Sequence, residues 1–460
     1  MKISLPEFVS EILEKFTKAG FEIYIVGGSV RDLILGREIM DWDFTTNAQP
    51  QQILEIFPKG FYDNKFGTVG LSHPSSREPY EITTFRKESG YSDRRHPDKV
   101  IWGETLKEDL GRRELTINAL ALRLVLSGST TLTVERLAQG KPLIIDLFGG
   151  QKDLKAKVIR AVGEPDLRYS EDALRMIRAI RFASQLGFTI EEGTFAGIKN
   201  NAVLIKKISG ERIRDELLKI LASPHPGDGI TLLLSSGLLA EILPEMEREY
   251  GVAQARHHKY DVWTHSLLSL KFCPSTEPLV RFATLLHDVG KPIVARPDPK
   301  VGITFYNHEI LGASIVRNIA NRLKFSRKDR ELLVKLVRWH QFTCDERQTD
   351  SALRRFIKNV GKENLDRMLA LRVGDRLGGG ATETSWRLEK FKKRLGEVQK
   401  QPFAVKDIRV NGNDVMRLLK INPGPLVGRV LEQLFTEVVE KKLKNEKENL
   451  LKRIKEVGKI

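Results

Sequence analysis

Hydrophobic and polar residues are arranged differently in two parts of this chain, and the pattern changes near residue 150. Before that point the apolar runs are short and are bounded by glycine or by charged residues, which is typical of strands. These runs are FEIYIVGG at 21–28, MDWDFTT at 40–46, TVGLSH at 68–73 and YEITTF at 80–85. SVRDLILG at 29–36 has helical spacing and ends in a glycine, so it predicts a helix. We therefore expect a small α/β domain over residues 1–150.

After residue 150 the apolar positions recur with the 3.6-residue period of amphipathic helices. The clearest examples are SEDALRMIRAIRFASQLGF, ERIRDELLKILA and GITLLLSSGLLAEILPEME. A linker-like stretch, REYGVAQARHHKY, lies at 248–260, and QKQPFAVKDI at 399–408 marks another boundary. The predicted fold class is α+β, with an α/β head at 1–150 followed by all-α segments at 151–250, 251–398 and 399–460.

The composition is that of a globular protein. At 460 residues the chain is long enough for about three domains of ~150 residues. Its 41% hydrophobic and 30% charged residues argue against global disorder. The sequence has no run of 18 apolar residues, and the N-terminal MKISLPEFVSEILEKF has acidic residues within an amphipathic pattern. We expect no membrane segment and a cytoplasmic location. Two cysteines, Cys273 and Cys344, exclude a disulfide framework.

The charge balance is strongly basic. Lys and Arg number 76 against 60 Asp and Glu, which gives a formal net charge of +16. The last twenty residues alone carry 8 basic and 3 acidic side chains. Such an excess favours a polyanionic partner, either nucleic acid or an anionic membrane. A generally lysine-rich surface would give the same balance, so charge alone does not decide between them.

The first chemical motif combines two glycines with two aspartates. Gly27 and Gly28 follow a predicted strand and open a predicted helix, where backbone N–H groups can approach a polyphosphate closely. Arg31, one turn into that helix, can add a charge-assisted contact. Asp41 and Asp43 are two apart on a predicted strand, so both carboxylates face one side. Paired carboxylates suit Mg²⁺ in two-metal phosphoryl transfer, and we predict both as catalytic metal ligands.

Two further charged clusters follow. EDLGRR at 108–113 places paired arginines after a carboxylate, an arrangement that can grip a triphosphate and a ribose together. In EDALR at 171–175, Asp172 and Arg175 lie three apart on one face of a predicted helix. A carboxylate accepts from an exocyclic amine and a guanidinium donates to ring nitrogens and carbonyls, so this pair can read a Watson–Crick edge. Surface ion pairs would produce either pattern as well.

Taken in chain order, four motifs resemble the class II CCA-adding enzymes and bacterial poly(A) polymerases. They are GGSVRDLILGR…DWD, EDLGRRELTINA, YSEDALRMIRAIRF and GERIRDELLKIL, and the resemblance covers residues 20–222. It implies a nucleotidyltransferase head with a helical neck and body, which adds C, C and A to tRNA from CTP and ATP without an RNA template. Ser29 stands where the family often has cysteine, and we expect that difference to be neutral.

The same resemblance implies roles for individual residues. In that family the residues matching Asp41 and Asp43 bind metals. The residues matching Asp109, Arg112 and Arg113 contact the nucleotide sugar and phosphates. The residues matching Glu171, Asp172 and Arg175 select CTP and ATP. The complete predicted nucleotide-binding set is Gly27, Gly28, Arg31, Asp109, Arg112, Arg113, Asn118, Glu171, Asp172, Arg175 and Arg178. VNGNDVMRLLKINPGPLVGRVLEQLF at 410–435 resembles the tail of such enzymes, and Gly424 and Gly428 are predicted to let a helix N-terminus meet an RNA phosphate.

A second constellation lies in the helical half. The histidines at 265, 287, 308 and 340 are four of the nine in the chain, and Asp288 follows His287 directly. Imidazoles and carboxylates from several helices can converge on a divalent metal, although a single histidine on an apolar helix is more often a core residue. The block at 261–380 resembles the HD phosphohydrolase superfamily. Its ligand pattern matches His265, His287, Asp288 and Asp375, with His308 and His340 as additional candidate ligands.

The sequence leaves alternative functions open. An enzyme that adds only the terminal A, or a poly(A) polymerase, would have nearly the same motifs. TTFRKESGYSDRRHPDKV at 83–100 argues against CC-only addition, because an intact loop there accompanies A addition in the family. YDNKFGTVGL at 62–71 is unlike the basic signature expected of a poly(A) polymerase. From another class, an HD phosphohydrolase with a non-catalytic RNA-binding head is disfavoured by intact Asp41, Asp43 and Arg175.

Overall fold

A seven-stranded sheet lies at the centre of the N-terminal part of the chain. The structure is a computed structural model. It describes all residues except 1–4, 40, 63–66, 74–78, 90–98, 104, 126–140, 255–259, 343–347, 400–404, 441 and 458–460. Cys344 and parts of the predicted loop at 83–100, of the 62–71 segment and of both predicted boundaries therefore lie outside the described residues.

The sheet has the strand order β3-β4-β5-β2-β1-β8-β9. Its strands are Ile23–Val26 (β1), Asp43–Thr46 (β2), Phe61–Tyr62 (β3), Thr68–Leu71 (β4), Tyr80–Thr84 (β5), Leu120–Val125 (β8) and Lys141–Asp146 (β9). Two strands outside it, Arg86–Ser89 (β6) and Lys99–Trp102 (β7), pair with each other. Strand β2 pairs antiparallel with β1 and parallel with β5, which places Asp43 opposite Val26. Every residue of β1 is buried, as its continuous apolar run predicts.

Helices cover the sheet and fill most of the remaining chain. Up to residue 250 they are Glu7–Lys18 (α1), Gly28–Ile34 (α2), Pro50–Ile56 (α3), Leu106–Gly111 (α4), Gly150–Ala156 (α5), Pro165–Glu171 (α6), Leu174–Leu186 (α7), Glu192–Asn201 (α8), Gly210–Ala222 (α9), Pro226–Ser235 (α10), Leu238–Ile242 (α11) and Pro244–Glu247 (α12). Short 3₁₀ turns occur at Thr116–Asn118 and Ala202–Lys207.

The rest of the chain is built from eleven further described helices. These are Val262–Phe272 (α13), Pro278–Leu285 (α14), Lys291–Val294 (α15), His308–Arg322 (α16), Arg327–Trp339 (α17), Asp350–Val360 (α18), Leu365–Gly378 (α19), Trp386–Gln399 (α20), Gly412–Leu419 (α21), Pro425–Val439 (α22) and Lys447–Val457 (α23). Lys362–Asn364 and Val405–Asp407 are 3₁₀ turns. None of the helices in the described residues is long and apolar enough to span a bilayer.

The chain divides into two compact units. The first comprises residues 1–250 together with 318–326, and the second comprises 251–317 and 327–460. Within the second unit the tail has its own apolar cluster, in which Val415 of α21, Leu434 of α22 and Leu450 of α23 are fully buried. The finer division into four segments remains a prediction.

Two details of the sequence prediction are wrong. The segments after residue 150 are not purely helical, because they contain the short strand pairs Val158–Ile159 (β10) with Thr189–Ile190 (β11) and Arg296–Asp298 (β12) with Gly302–Thr304 (β13). The predicted continuous helix through 171–175 is also interrupted. Helix α6 ends at Glu171, Asp172 is extended (φ −140°, ψ 106°), and α7 begins at Leu174.

Candidate functional site

A cavity of about 510 Å³ in the first unit gathers most of the residues predicted to bind the nucleotide. Its walls come from the β1–α2 connection, the start of β2, the segment after α4, and α7. The lining residues are Gly27, Gly28, Arg31, Asp41, Asp43, Arg112, Arg113, Glu114, Asn118, Arg175, Arg178, Arg181, Phe182 and Gln185. Six arginines and three carboxylates share this wall, so the cavity is strongly cationic and suited to a polyphosphate.

The two predicted metal ligands both line the cavity. Strand β2 begins at Asp43, so Asp41 lies just before the strand rather than within it, and Trp42 between them is buried. The Ser29 hydroxyl connects this segment to α2: it donates to the Asp41 carbonyl (2.8 Å) and accepts from the Asp43 N–H (3.2 Å). Ser29 is 2% exposed, and it therefore fixes the backbone on which both carboxylates stand.

The Asp43 carboxylate lies in an environment that a nearby cation would stabilise. Burial raises the pKa of Asp43 above its usual value, and the nearby Asp41 carboxylate acts in the same direction, while Arg113 opposes both. Two carboxylates held close together repel each other unless a cation or proton lies between them. Oxygen donors of this kind fit Mg²⁺, which binds through one or two carboxylates and the phosphates of a substrate.

Gly27 and Gly28 form the tight connection between β1 and α2. Gly27 has a left-handed φ of 74°, and a Cβ there would lie 3.0 Å from an Arg113 guanidinium nitrogen, so glycine is needed. The Gly27 N–H donates to the Leu120 carbonyl (3.2 Å). That N–H therefore holds the start of α2 against β8 and is not free to bind a phosphate, as the sequence had suggested.

Asp109 lies behind the cavity wall rather than on it. It is fully buried and accepts from the Arg112 guanidinium at 2.7 and 3.0 Å, and from Arg113 at 3.4 Å. Burial alone would raise the pKa of Asp109, but the two guanidinium groups outweigh burial and lower it. The carboxylate therefore stays ionised and orients two arginines towards the cavity.

A polar network joins Arg31 of α2 to Arg178 of α7 through Asn118 and Glu114. Arg31 donates to both Asp32 oxygens (2.9 and 2.7 Å) and to the Asn118 side-chain oxygen (2.8 Å). Glu114 accepts from Arg178 of α7 at 2.6 and 2.9 Å, a bidentate pair across 64 positions of sequence. Glu114 was not among the predicted site residues. In the sequence, its position directly after Arg112 and Arg113 could have indicated that it belongs to the site.

The residues predicted to select the base lie at the break between α6 and α7. Arg175 lines the cavity, and its guanidinium contacts Glu171. Asp172 is not among the lining residues, because its carboxylate pairs with Arg212 of α9 at 2.8 Å and caps the Leu174 N–H at 3.0 Å. The structure thus brings Arg175 and Arg178 to the cavity and holds Glu171 and Asp172 beside them.

The histidine constellation converges in the second unit. His265 comes from α13, His287 and Asp288 follow α14, and Asp375 belongs to α19. The Nε2 atoms of His265 and His287 lie 3.1 Å apart, and the Asp288 carboxylate is 3.4 and 3.2 Å from them. Asp375 lies 3.3 Å from His265 and 3.7 Å from His287. These distances place four possible ligands around one point.

His308 and His340 lie on the other side of the same aspartate. Their Nε2 atoms are 3.2 Å apart, and they are 3.3 and 3.7 Å from Asp288 Oδ1. Both imidazoles are at least 95% buried. The next polar neighbour is Lys291, whose ammonium lies 2.6 Å from Asp288 Oδ2 and 2.7 Å from the Gln254 side-chain oxygen.

The electrostatics of this cluster depend on its burial. Burial would lower the pKa of His287, but the Asp288 carboxylate raises it to about 9. Burial lowers the pKa of His340 to about 3, and positive charge on His287 contributes in the same direction. The pKa values of Asp288 and Asp375 are lowered, because neighbouring imidazoles outweigh their burial. A buried set of imidazoles and ionised carboxylates fits a divalent transition metal.

A cavity of about 550 Å³ opens beside this cluster. Asp288, His308, His340 and Asp375 line it together with two cations, Lys291 and Arg372. Arg372 donates to the far oxygen of Asp375 at 2.7 Å. The hairpin β12–β13 and the exposed Tyr306 form its other wall.

The two tail glycines are at the predicted helix start. Helix α22 begins at Pro425 with Gly424 as its N-cap, and Gly424 is extended with φ 177°. A Cβ at Gly428 would meet open space, so no close packing within the described residues requires glycine there.

Comparisons with known proteins identify relatives of this chain. Residues 23–160 match the family model described as the poly A polymerase head domain, and residues 239–377 match the HD domain. A CCA-adding enzyme of Levilactobacillus brevis is 35% identical over 455 residues, covering 97% of this chain and 96% of that protein. One from Lactobacillus helveticus is 47% identical over 232 residues, about half of each protein.

A solved structure supports the same assignment. The Bacillus stearothermophilus CCA-adding enzyme in complex with CTP superposes with a TM-score of 0.69 at 28% identity, covering 99% of this chain and 98% of that one. The sequence relationship extends over nearly the whole chain, and the fold is shared with a CCA-adding enzyme of known structure. This chain therefore belongs to the family of CCA-adding enzymes, which are tRNA nucleotidyltransferases.

Proposed function

We infer that this protein builds or repairs the CCA end of tRNA, using CTP and ATP and no nucleic-acid template. One observation carries the proposal: Asp41 and Asp43 line a cavity whose other walls present six arginine side chains. Nucleotidyl transfer requires carboxylates for metal ions and cations for a triphosphate, in one place. The relative from Bacillus stearothermophilus was solved with CTP, which supports CTP as one substrate.

Each group in the cavity has a distinct task in this proposal. Asp41 and Asp43 would hold Mg²⁺, which neutralises the triphosphate and activates the 3′-hydroxyl of the tRNA. Arg112 and Arg113, oriented by Asp109, bind phosphate and ribose oxygens. Arg31 is fixed by Asp32 and Asn118, so it can meet a phosphate with little loss of side-chain freedom.

Base selection is assigned to the segment around the α6–α7 break. Arg175 and Arg178 reach the cavity and can donate to ring nitrogens and carbonyls. Asp172 can accept from the amino group that cytosine and adenine share when its ion pair with Arg212 opens. In the absence of a nucleotide, Arg212 holds the Asp172 carboxylate beside the cavity.

The tail is the proposed tRNA contact. Helices α21, α22 and α23 form a small module with its own core, and Gly424 and Gly428 lie at the first turn of α22. Basic side chains of the last twenty residues would add contacts to the phosphate backbone. We expect the protein to act in the cytoplasm, where tRNA, CTP and ATP are available.

The assignment of the cavity is tested by removing its carboxylates. Asp41→Ala and Asp43→Ala should each abolish incorporation of labelled CTP and of labelled ATP into tRNA that lacks its end. Glu55→Ala, an exposed carboxylate of α3 in the same unit, serves as the matched control and should remain active. Retention of a tenth of wild-type incorporation by Asp41→Ala or Asp43→Ala would contradict the assignment.

A second candidate function rests on the histidine cluster. His265, His287 and Asp288 have ligand atoms close enough together to share one metal ion, and Asp375 lies 3.3 Å from His265. Lys291 and Arg372 line the cavity beside them. A divalent metal bound there would supply a Lewis acid for phosphate-ester hydrolysis. We propose a metal-dependent phosphohydrolase activity, with a phosphomonoester or cyclic phosphodiester as substrate.

A further inference from the structure

We propose that Phe182 is a positioning residue for nucleotide binding, because its ring holds the Arg31 guanidinium at the wall of the cavity in the first unit. This role rests on the proposed function of that cavity, in which Arg31 binds the triphosphate of CTP or ATP. Phe182 has no polar atom in its side chain and acts only through Arg31.

Phe182 lies on the face of α7 that lines the cavity. Arg175, Arg178 and Phe182 are spaced by three and then four residues along this helix, so they share one face. All three line the cavity. Phe182 is 7% exposed, so most of its ring is packed against protein. Helix α7 therefore contributes a buried aromatic ring to the cavity wall beside the two arginines assigned to base selection.

The Phe182 ring contacts Arg31 of α2. The guanidinium carbon of Arg31 lies over the ring, 5.1 Å from its centroid. A guanidinium within about 6 Å of the centroid is attracted by the negative face of an aromatic ring. The Arg31 side chain is only 11% exposed, and water screens this attraction little when both groups are buried. The contact therefore links helix α2, which follows the glycine pair, to helix α7.

The hydrogen bonds of Arg31 use only part of its donor capacity. Nε and Nη2 donate to the two Asp32 oxygens, and Nη1 donates to the Asn118 side chain. Among the described residues, these bonds engage three of the five N–H groups of a guanidinium and leave two for a phosphate oxygen. Asp32 partly neutralises Arg31, whereas the ring of Phe182 carries no net charge. Phe182 therefore fixes Arg31 without weakening the attraction of Arg31 for an anion.

A second guanidinium lies over the same ring. The guanidinium carbon of Arg181 is 4.2 Å from the Phe182 ring centroid, and its Nε lies 2.8 Å from the Glu216 carboxylate of α9. Two guanidinium groups over a ring that is almost entirely buried leave little of its surface for stacking with a nucleobase. We therefore assign Phe182 to the positioning of Arg31 and not to a stacking contact with the base. An experiment must separate the effect of Arg31 from that of Arg181.

Fluorinated phenylalanines at position 182 test this contact in the full chain. Each added fluorine weakens the negative charge on the ring face and hardly changes the size of the ring, so packing is preserved. The series runs from phenylalanine through its monofluorinated and difluorinated forms to the trifluorinated form. The measurement is the Kd of CTP with Mg²⁺ and without tRNA, by isothermal titration calorimetry. We expect this Kd to rise steadily along the series, by about 3- to 30-fold at the trifluorinated ring, which corresponds to the loss of one buried cation–π contact.

The same series at Phe188 is the matched control. Phe188 is 8% exposed, lies two residues after the end of α7 and is not among the residues that line the cavity. Fluorination there should leave the Kd of CTP unchanged. In an Arg31→Met background, fluorination at position 182 should also have no effect on that Kd, because the cation over the ring has been removed. Thermal melting of every variant confirms that it is folded before binding is measured.

Two results would overturn the role of Phe182 alone. A Kd that stays constant along the series at position 182 would show that the ring only fills space. An equal rise in the wild-type and Arg31→Met backgrounds would show that the ring acts through Arg181. A third result concerns the proposed function: if Arg31→Met, with no fluorinated residue, binds CTP as tightly as the wild type, then Arg31 does not bind the triphosphate, and the role of Phe182 is wrong for that reason.

Discussion

Arg178 and Glu114 form a bidentate ion pair, with distances of 2.6 and 2.9 Å, between helix α7 and the segment that follows the paired arginines. Burial would raise the pKa of Glu114, but Arg178 outweighs burial and lowers it. The charged pair therefore fixes α7, which carries Arg175, against the segment that places Arg112 and Arg113 in the cavity wall.

The first prediction concerns this pair. Glu114→Gln should destabilise the protein by ~1–3 kcal/mol, because Arg178 loses its charged partner in a partly buried position. Thermal melting should show a lower Tm than the wild type or Glu164→Gln, an exposed glutamate of the same unit. An unchanged Tm would mean that the pair contributes nothing.

The Tm difference between wild type and Glu114→Gln should depend on pH, because the pKa of Glu114 is lowered in the folded state. The stability that this shift contributes is complete above the unfolded pKa of ~4.3 and is lost as the pH falls through the folded pKa. The Tm gap between wild type and Glu114→Gln should be constant near neutral pH and should narrow below about pH 4. A gap that widens in acid would contradict the assigned direction.

Much of the head could be predicted from the sequence, because its motifs are local. The β1–α2 connection follows from the glycine pair after an apolar run, and Asp41 and Asp43 line one cavity as expected, although β2 begins only at Asp43. The partners of these motifs could not be predicted, because they come from distant positions: Glu114 meets Arg178, and Asp172 meets Arg212, 40 positions away. The buried placement of Asp109 was also not apparent from sequence, since charged residues are rarely fully buried.

The arrangement of the histidine cluster was likewise only partly predictable from the sequence. The sequence identified all six candidate ligands, because histidines and an HD pair within apolar helices are unusual. It could not divide them into two groups, since that division depends on which Asp288 oxygen faces which imidazole. The interruption of the helix at Asp172 was missed because Glu171 to Arg175 has good helical spacing.

The second prediction concerns base selection. Asp172→Ala should lower the ratio of CTP to UTP incorporation by about one to two decades, because the carboxylate no longer disfavours a carbonyl at the amine position. Asp166→Ala, an exposed aspartate of α6, should leave the ratio unchanged. The measurement is incorporation efficiency on tRNA that lacks its end. If Asp172→Ala leaves the ratio at its wild-type value, Asp172 serves only as the ion-pair partner of Arg212.

The third prediction concerns the tail. A side chain at Gly428 meets open space, so Gly428→Glu should leave the fold intact while placing negative charge at the first turn of α22. Its tRNA affinity should fall, and affinity for CTP should not, whereas Gly428→Gln should have a smaller effect. Wild-type tRNA binding should weaken steeply with salt, through counterion release. Equal loss of tRNA and CTP binding in Gly428→Glu would instead indicate unfolding.

The fourth prediction separates the two activities. His287→Ala with Asp288→Ala should remove metal-stimulated hydrolysis of 2′,3′-cyclic phosphate and 2′-phosphate substrates. CTP and ATP incorporation should persist, because Asp41 and Asp43 lie in the other compact unit. Assays of the wild type with Mg²⁺, Mn²⁺, Ni²⁺ and Co²⁺ come first. If the wild-type protein hydrolyses neither substrate with any of these four metals, the phosphohydrolase proposal is wrong.

Addition of C, C and A can be measured directly with three tRNA substrates. These end before the first C, before the second C and before the terminal A, and each is given labelled CTP or labelled ATP separately. We expect CTP incorporation on the first two tRNAs and ATP incorporation on the third, stopping after the terminal A. ATP incorporation on the third tRNA without CTP incorporation on the first two would identify an A-adding enzyme. Long A tails on unrelated RNA would identify a poly(A) polymerase. Either result would contradict addition of the complete CCA end.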